Sequence, residues 1–326
     1  MAEAHGFAPT PSKRFHLTKP QNSPKLDPNP NESPWMEQLP NPPRATIHRL
    51  TLGQAQVITL LDGAQPRDSI NPPFLMDKSP FEIETIAKDQ NLAPGSFENS
   101  YTPTLIHLNG QVILIDTGLG AAGRGAHAGK LKTHLTEAGF APTDVDIVAF
   151  THCHPDHIAG VLEDGAPTFA NARYVIGRRE FDAWADGTEI PPQRAQNREL
   201  FLRTIAPLAP RMTFLEDTQT VVSGLVSQTA FGHSLGHMMY RLESDGQALL
   251  IWGDVTNHFV YSLQFPDSPV AFDDDQEAAK ETRKRVLDMV VTDRLLVSGH
   301  HMPFPALGHV ERTASQYRWK IGRAHV

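Results

Sequence analysis

The chain has 326 residues, 40% hydrophobic and 20% charged, with a formal net charge of -8. That length suits one large domain or two ordinary ones, and the acidic balance argues against a nucleic-acid partner, which needs a basic face for phosphates. The lone cysteine, Cys153, excludes an intramolecular disulfide and a thiolate cluster; with no apolar signal core and no bilayer-length apolar run, a cytoplasmic protein without membrane contact is expected.

Residues 1–44 hold ten of the 27 prolines, in phrases such as K-L-D-P-N-P-N-E-S-P. Without helical or strand periodicity, this segment reads as a Pro-rich extended or disordered arm. Its Phe7, Phe15 and Trp35 could drape over the domain or over a second subunit, which leaves a homodimer open. Beyond it, Ala55–Leu61 reads as a strand, and Leu105–Leu108 and Val112–Ile115 flank the hairpin signal Asn109-Gly110. The second of these strands runs into D-T-G-L-G (Asp116–Gly120). Lys130–Ala138 is helical in pattern, with Gly139 as its stop.

Asp146–Phe150 is a short apolar strand, Arg173–Ile176 another, and Arg179–Ala185 and Asn197–Leu208 have helical spacing. Val221–Val222 and Val226–Ala230 lead to F-G-H-S-L-G-H. Met238–Leu242 and Ala248–Trp252 make a hairpin around Asp245-Gly246, and the second strand ends at G-D-V. Gln276–Val291 is a long amphipathic helix, and Leu295–Ser298 a strand ending in G-H-H. Metal-competent residues therefore recur where apolar strands end, and strand ends on one edge of a sheet can converge in space. The mixed order of strands and helices points to an α/β sandwich.

The stretch F-T-H-C-H-P-D-H-I-A-G is the densest of these loops. Imidazole and carboxylate are the ligands that borderline divalent metals accept. His152 and His154, two apart, point the same way from an extended loop, whereas Cys153 points away and reads as a small packed residue. Asp156 and His157 follow a stiffening Pro155 and face a neighbouring point. Each point lacks a ligand. His233 is the candidate for the first, Asp254 for a bridge, and His300 or His301 for the second.

These motifs resemble the ordered motifs of the metallo-β-lactamase fold superfamily: T-H-C-H-P-D-H-I-A-G, G-H-S-L-G-H, W-G-D-V, G-H-H-M-P-F-P and the earlier D-T-G-L-G. The resemblance runs from about Ala45 to Trp319, so a domain over 45–319 is expected, with the αββα sandwich of the metallo-β-lactamase type and metals at one edge. It implies His152, His154 and His233 on one metal, Asp156, His157 and His301 on the other, and Asp254 between them. His301 is preferred over His300 because it directly precedes M-P-F-P. Asp116 is expected to brace the loops, and His237 to support the site from behind. No cysteine stands at the position of Asp254, which argues against a β-lactam substrate. The run D-V-T-N-H-F-V-Y-S-L-Q-F-P-D, the acidic F-D-D-D and H-M-P-F-P are similar to the methyl parathion hydrolase and quorum-quenching lactonase-like branch.

The resemblance thus implies a dinuclear hydrolase that attacks a lactone, ester or phosphotriester with a metal-bridging hydroxide. Two divalent ions are expected, zinc first, with iron, manganese or cobalt as alternatives, and Asp156 as the proton handler. The expected partner is an uncharged, partly apolar small molecule, with Asn257 and His258 facing it and Phe259, Phe265 and Phe304 lining the pocket. The rivals are an iron-dependent, dioxygenase-like oxidoreductase and a non-catalytic metal-binding protein on the same scaffold. The terminal K-I-G-R-A-H-V (Lys320–Val326) matches the translation of a common sequencing adapter and reads as non-native read-through, so His325 is left out of the site.

Overall fold

The computed structural model describes residues 44–314 and 316–322, together with Met1. The expected arm over residues 1–44 lies, apart from its two ends, outside the described residues. In chain order the elements begin with strands β1 Ile47–Leu52, β2 Ala55–Leu60 and β3 Gly63–Arg67, helix α1 Pro80–Asp89, and strands β4 Phe97–Tyr101, β5 Thr104–Leu108 and β6 Gln111–Ile115. Helices α2 Gly120–Gly123 and α3 Leu131–Glu137 precede β7 Ile147–Ala149, and α4 Pro155–Ile158 follows it. Next come β8 Leu162–Glu163, β9 Ala166–Pro167, β10 Arg173–Gly177, α5 Arg178–Asp186, α6 Ala195–Thr204 and β11 Met212–Leu215. The remainder is β12 Thr220–Val222, β13 Leu225–Thr229, β14 Met238–Ser244, β15 Gln247–Ile251, α7 Gln276–Thr292, β16 Leu296–Ser298, β17 Leu307–Arg312 and β18 Tyr317–Ile321.

Two seven-stranded sheets result, ordered β1-β2-β5-β6-β7-β10-β11 and β12-β13-β14-β15-β16-β17-β18. Their inner faces interlock through Val57, Ile106, Ile113, Ile147 and Val175 from one sheet and Leu225, Tyr240, Leu249 and Ile251 from the other. The outer face of the first sheet is covered by Leu131 and Leu135 of α3, Trp184 of α5 and Phe201 of α6. On the second sheet Val286, Leu287 and Val290 of α7 pack against Leu250, Trp252 and Val297. Central strands are apolar on both faces because both faces are covered. This is the αββα sandwich.

Local chemistry explains the joints. Asn109 and Gly110 adopt φ of 53° and 75°, and Asp245 and Gly246 49° and 74°, the left-handed pair that a two-residue hairpin turn demands. The helical reading of 197–208 holds only to Thr204. Pro207 and Pro210 cannot supply α-helical donors, and the chain continues as a 3-10 turn over Ala206–Arg211. Helix α1 was not anticipated, although Ser79 and Glu82 cap each other's backbone reciprocally at its start. Lys320 and Ile321 pair with His309 and Gly308 as part of β18, while residues 323–326 lie outside the described residues. Among the described residues no helix is long and apolar enough to cross a membrane.

Register then brings the motifs together. Ile115 pairs with Ala149 in parallel, so the loop opening at Asp116 runs beside the histidine loop. Ile251 pairs with Ser298, so the loop carrying Asp254 runs beside His300 and His301. Gly160 is required where the first two loops touch: a Cβ there would lie 2.0 Å from the Thr117 carbonyl oxygen.

Candidate metal centre

Three overlapping sets of side chains bring candidate ligand atoms within 4.8 Å of one another: His152, His154 and His233; Asp156, His157, His300 and His301; and His152, His157 and Asp254. Asp254 ties the first two sets together. Its carboxylate oxygens lie 3.2 Å from His233 Nε2, 3.3 Å from His157 Nε2 and 2.9 Å from His301 Nε2. Asp156 Oδ2 is 3.6 Å from His157 Nε2 and 3.4 Å from His301 Nε2.

Five of the six rings have one nitrogen committed away from the cluster, the exception being His300, whose Nε2 is buried without a partner among the described residues. His152 Nδ1 meets Thr151 Oγ1 at 3.0 Å, and His157 Nδ1 meets Asp116 Oδ2 at 2.8 Å. His301 Nδ1 meets the Ser100 carbonyl at 2.8 Å, and His233 Nδ1 meets Asp273 Oδ1 at 2.9 Å. For His154 the order is reversed: Nε2 meets Asp274 Oδ2 at 3.1 Å, which leaves Nδ1 beside His233 Nε2 at 3.0 Å. With protons assigned to these outer nitrogens, five lone pairs remain on the inner ones, because an acceptor behind a metal-binding histidine fixes its tautomer.

Several inner atoms have no hydrogen-bonding partner among the described residues. His152 Nε2, His157 Nε2 and Asp254 Oδ1 are all buried in this state. Buried polar atoms are normally satisfied, and leaving three together costs several kcal/mol. Divalent cations among them would resolve the deficit, so the residues fit two adjacent metal ions with nitrogen and carboxylate ligands.

Against protein groups alone the titrations are strongly displaced. Burial depresses His233, but Asp254 and Asp273 outweigh it and lift the imidazole to about 9. Burial and the Arg194 guanidinium push His154 down to about 4. Burial would raise Asp274, yet His154 and Arg194 hold it at about 2.

Asp116, at φ 63°, accepts from Thr151 N and Thr151 Oγ1, both at 2.8 Å, as well as from His157. His237 accepts the Asp254 backbone N–H at Nε2 (3.0 Å), supporting the bridge candidate from behind. Cys153 is buried in the first outer core and belongs to none of the ligand sets. Of the two adjacent histidines, His301 lines the cavity above the cluster, whereas His300 packs against His157 with ring centres 4.0 Å apart and planes tilted by 34°, and faces a small internal void with Asp116.

Sequence reading missed Glu180, Asp273, Asp274 and Arg194. The fully buried Glu180 carboxylate accepts from Cys153 N (2.7 Å), Gly236 N (2.8 Å), Trp184 Nε1 (2.8 Å) and Ser234 Oγ (2.6 Å). It therefore fastens the His152–His157 loop to the His233 loop. Asp273 also accepts from Arg283 at 2.7 Å, and Asp275 caps α7, so each aspartate of F-D-D-D has its own task.

The cavity above the cluster measures about 290 Å³. A larger open groove, about 670 Å³, runs along α7 past Lys78, Phe265 and Tyr317 and contains none of the converging histidines. The expected apolar lining needs correction. Phe265 faces that groove, Phe259 packs into the cores, and neither Phe304 nor His258 lines the cavity. His258 Nδ1 accepts from the N–H groups of Val260 and Tyr261, at 3.1 Å each, so it stabilises its own loop. Burial and neighbouring His301 depress it to about 3. Asn257 does line the cavity and donates to Asp254 Oδ2 at 3.0 Å. The remaining walls are mixed: Gln65, Arg67, Asn99, Tyr101, Arg194 and Asn197 are polar, whereas Leu119, Ala122, Pro155 and Phe272 present apolar faces.

An αββα sandwich with imidazole and carboxylate gathered at one sheet edge defines a class of metal-site proteins. Within it, the chain belongs to the metallo-beta-lactamase superfamily, whose profile matches residues 99–301. It is 27% identical over 175 residues to an N-acyl homoserine lactonase of Bacillus cereus, a match spanning 53% of this chain and 62% of that relative. Among solved structures it is similar to AidC, described as a dizinc quorum-quenching lactonase (TM-score 0.78, 25% identity, 85% of this chain and 97% of that one). It is also similar to the hydrolase AbOPH (TM-score 0.79, 25% identity, 86% and 98%).

Proposed function

We propose that the protein is a metal-dependent hydrolase that opens a lactone, ester or phosphotriester bond of a small molecule. The observation carrying this reading is the commitment of five outer histidine nitrogens to protein acceptors, while His152, His157, His233 and His301 close around Asp254 and His154 joins His152 and His233. His152, His154 and His233 would hold one divalent ion, Asp156, His157 and His301 the other, and Asp254 would bridge. Zinc is the first choice for this donor set. Bound there, two such ions supply Lewis acidity toward the scissile carbonyl or phosphoryl oxygen and lower the pKa of water into the neutral range.

The chain's own groups complete the chemistry. Asp156 is the carboxylate of the cluster most open to the cavity, with 19% of its side chain exposed against 3% for Asp254. It takes up the proton of the attacking water and returns it to the leaving-group oxygen. Asn257 fixes one oxygen of Asp254, and Asp116 keeps the His157 ring in register. The lactone option draws on the names of the relatives, and the phosphotriester option on the resemblance to the methyl parathion hydrolase branch. A panel of lactones, aryl esters and phosphotriesters tests the reading. At least one class should be hydrolysed, the activity should vanish on chelation, and metal should restore it; activity that survives chelation would overturn the proposal.

A further inference from the structure

The cavity beside the ligand cluster contains two guanidinium groups that bond cleavage itself does not require. We propose that the substrate carries a carboxylate apart from the bond that is cleaved, and that Arg67 and Arg194 receive it. This rests on the hydrolase reading and narrows its substrate class.

Arg67 ends β3 and is exposed at the cavity wall. Its hydrogen-bond partners are neutral, the Tyr101 hydroxyl at 3.1 Å and Gln65 Oε1 at 3.0 Å, and both bonds use the same nitrogen, Nη2. Among the described residues no carboxylate lies within ion-pair distance of it, so Nε and Nη1 remain available. Arg194 is held rigidly instead: Nε donates to Asp274 Oδ1 at 2.7 Å and Nη2 to the Phe272 carbonyl. Its Nη1 makes no bond to the described residues, and 17% of its side chain is exposed where it lines the cavity. Asp274 offsets part of the Arg194 charge but also serves His154, whereas the hydrogen-bond partners of Arg67 among the described residues are neutral.

A purely apolar acyl chain or leaving group would strip water from these donors without replacing it, which is costly for charged groups. A carboxylate matches the planar donor fork of a guanidinium, and a donor already fixed by other bonds loses little freedom on binding. Gln65, Asn99 and Asn197 provide neutral polar groups on the same wall.

The test uses matched probes: para-nitrophenyl hydrogen glutarate against para-nitrophenyl valerate, and γ-carboxy-γ-butyrolactone against γ-valerolactone. The metal-loaded protein should prefer the anionic member of at least one pair by about tenfold or more in kcat/KM, as charged hydrogen bonds allow. That preference should shrink as salt is added. Arg67→Gln and Arg194→Gln should each reduce it by about tenfold, chiefly through KM, and Arg194→Lys should keep part of it. A neutral member turned over as well as its anionic partner, or a preference unmoved in both variants, overturns the carboxylate site while leaving the hydrolase reading intact. Should neither pair be hydrolysed, glutarate binding by calorimetry reads the subsite separately. Affinity lost in Arg67→Gln supports it, and affinity unchanged refutes it.

Discussion

Glutamine in place of Glu180 separates a residue that holds the metal loops together from one that merely fills the core. Glu180 Oε1 accepts from Cys153 N, Trp184 Nε1 and Ser234 Oγ, and Oε2 from Gly236 N and Ser234 Oγ. Glutamine keeps one oxygen. Set at the Oε1 position, it retains Cys153 and Trp184 and turns its NH2 toward the Gly236 N–H. The Ser234 hydroxyl can rotate, but the Gly236 donor is stranded, at about 1–3 kcal/mol. Loss of charge assistance in the surviving bonds adds about 1 kcal/mol, and relief from burying a carboxylate offsets a similar amount. The net loss is therefore about 1–3 kcal/mol, or roughly 3–10 °C in Tm for a domain of this size.

The loop has little room to adjust, because a Cβ at Gly236 would sit 2.1 Å from the Glu180 backbone nitrogen. Loosening it should therefore separate His233 from His152 and His154 and weaken that one metal point by about 10–100-fold, the usual cost of losing an outer-shell support. The neighbouring point should stay near its original affinity. Thermal melting with a competition titration against a chromophoric chelator reads both. Wild-type Tm and wild-type affinity at both points would refute the reasoning, and a lower Tm with unchanged affinities would reduce Glu180 to a fold-stabilising role.

Asp116→Asn leaves one acceptor oxygen where Thr151 and His157 both need one, so metal affinity at the His157 point should fall about 10–100-fold, as measured by the same titration. Asp156→Asn, at retained metal content, should lower turnover by about 10²–10⁴-fold, and unchanged turnover would remove its proton-handling role. In chelated protein His233 titrates near 9 rather than 6.5. Its contribution to stability is then fully present below about pH 6.5 and lost as pH rises through 9. Metal loading at pH 7 should accordingly release protons, detectable by calorimetry in buffers of different ionisation enthalpy; no release would contradict the assignment.

Much of the architecture was legible because metal-competent residues follow apolar strands, and pairing register carries those strand ends to one edge. The turn signals at Asn109-Gly110 and Asp245-Gly246 fixed two hairpins for the same local reason. What escaped reading depends on tertiary context. Glu180 lies in a charged helical stretch, R-R-E-F-D, where a carboxylate ordinarily faces solvent, and only packing reveals that this one is buried. Asp273 and Asp274 look like a solvated acidic run until their partners His233, Arg283, His154 and Arg194 arrive from distant segments. The polar cavity wall comes largely from the β3–β4 pair, whose residues Gln65, Arg67, Asn99 and Tyr101 show no apolar alternation. Conversely, aromatic residues close to the ligands in sequence turned inward, because Phe259 and His258 complete cores and a loop rather than a pocket.

The most direct test of the account is the metal content of the purified protein, measured together with reconstitution of the chelated form. Two divalent ions per chain are expected, with hydrolytic activity that returns in proportion to their replacement. One iron per chain accompanied by oxygen consumption, or full hydrolysis without metal, would contradict it.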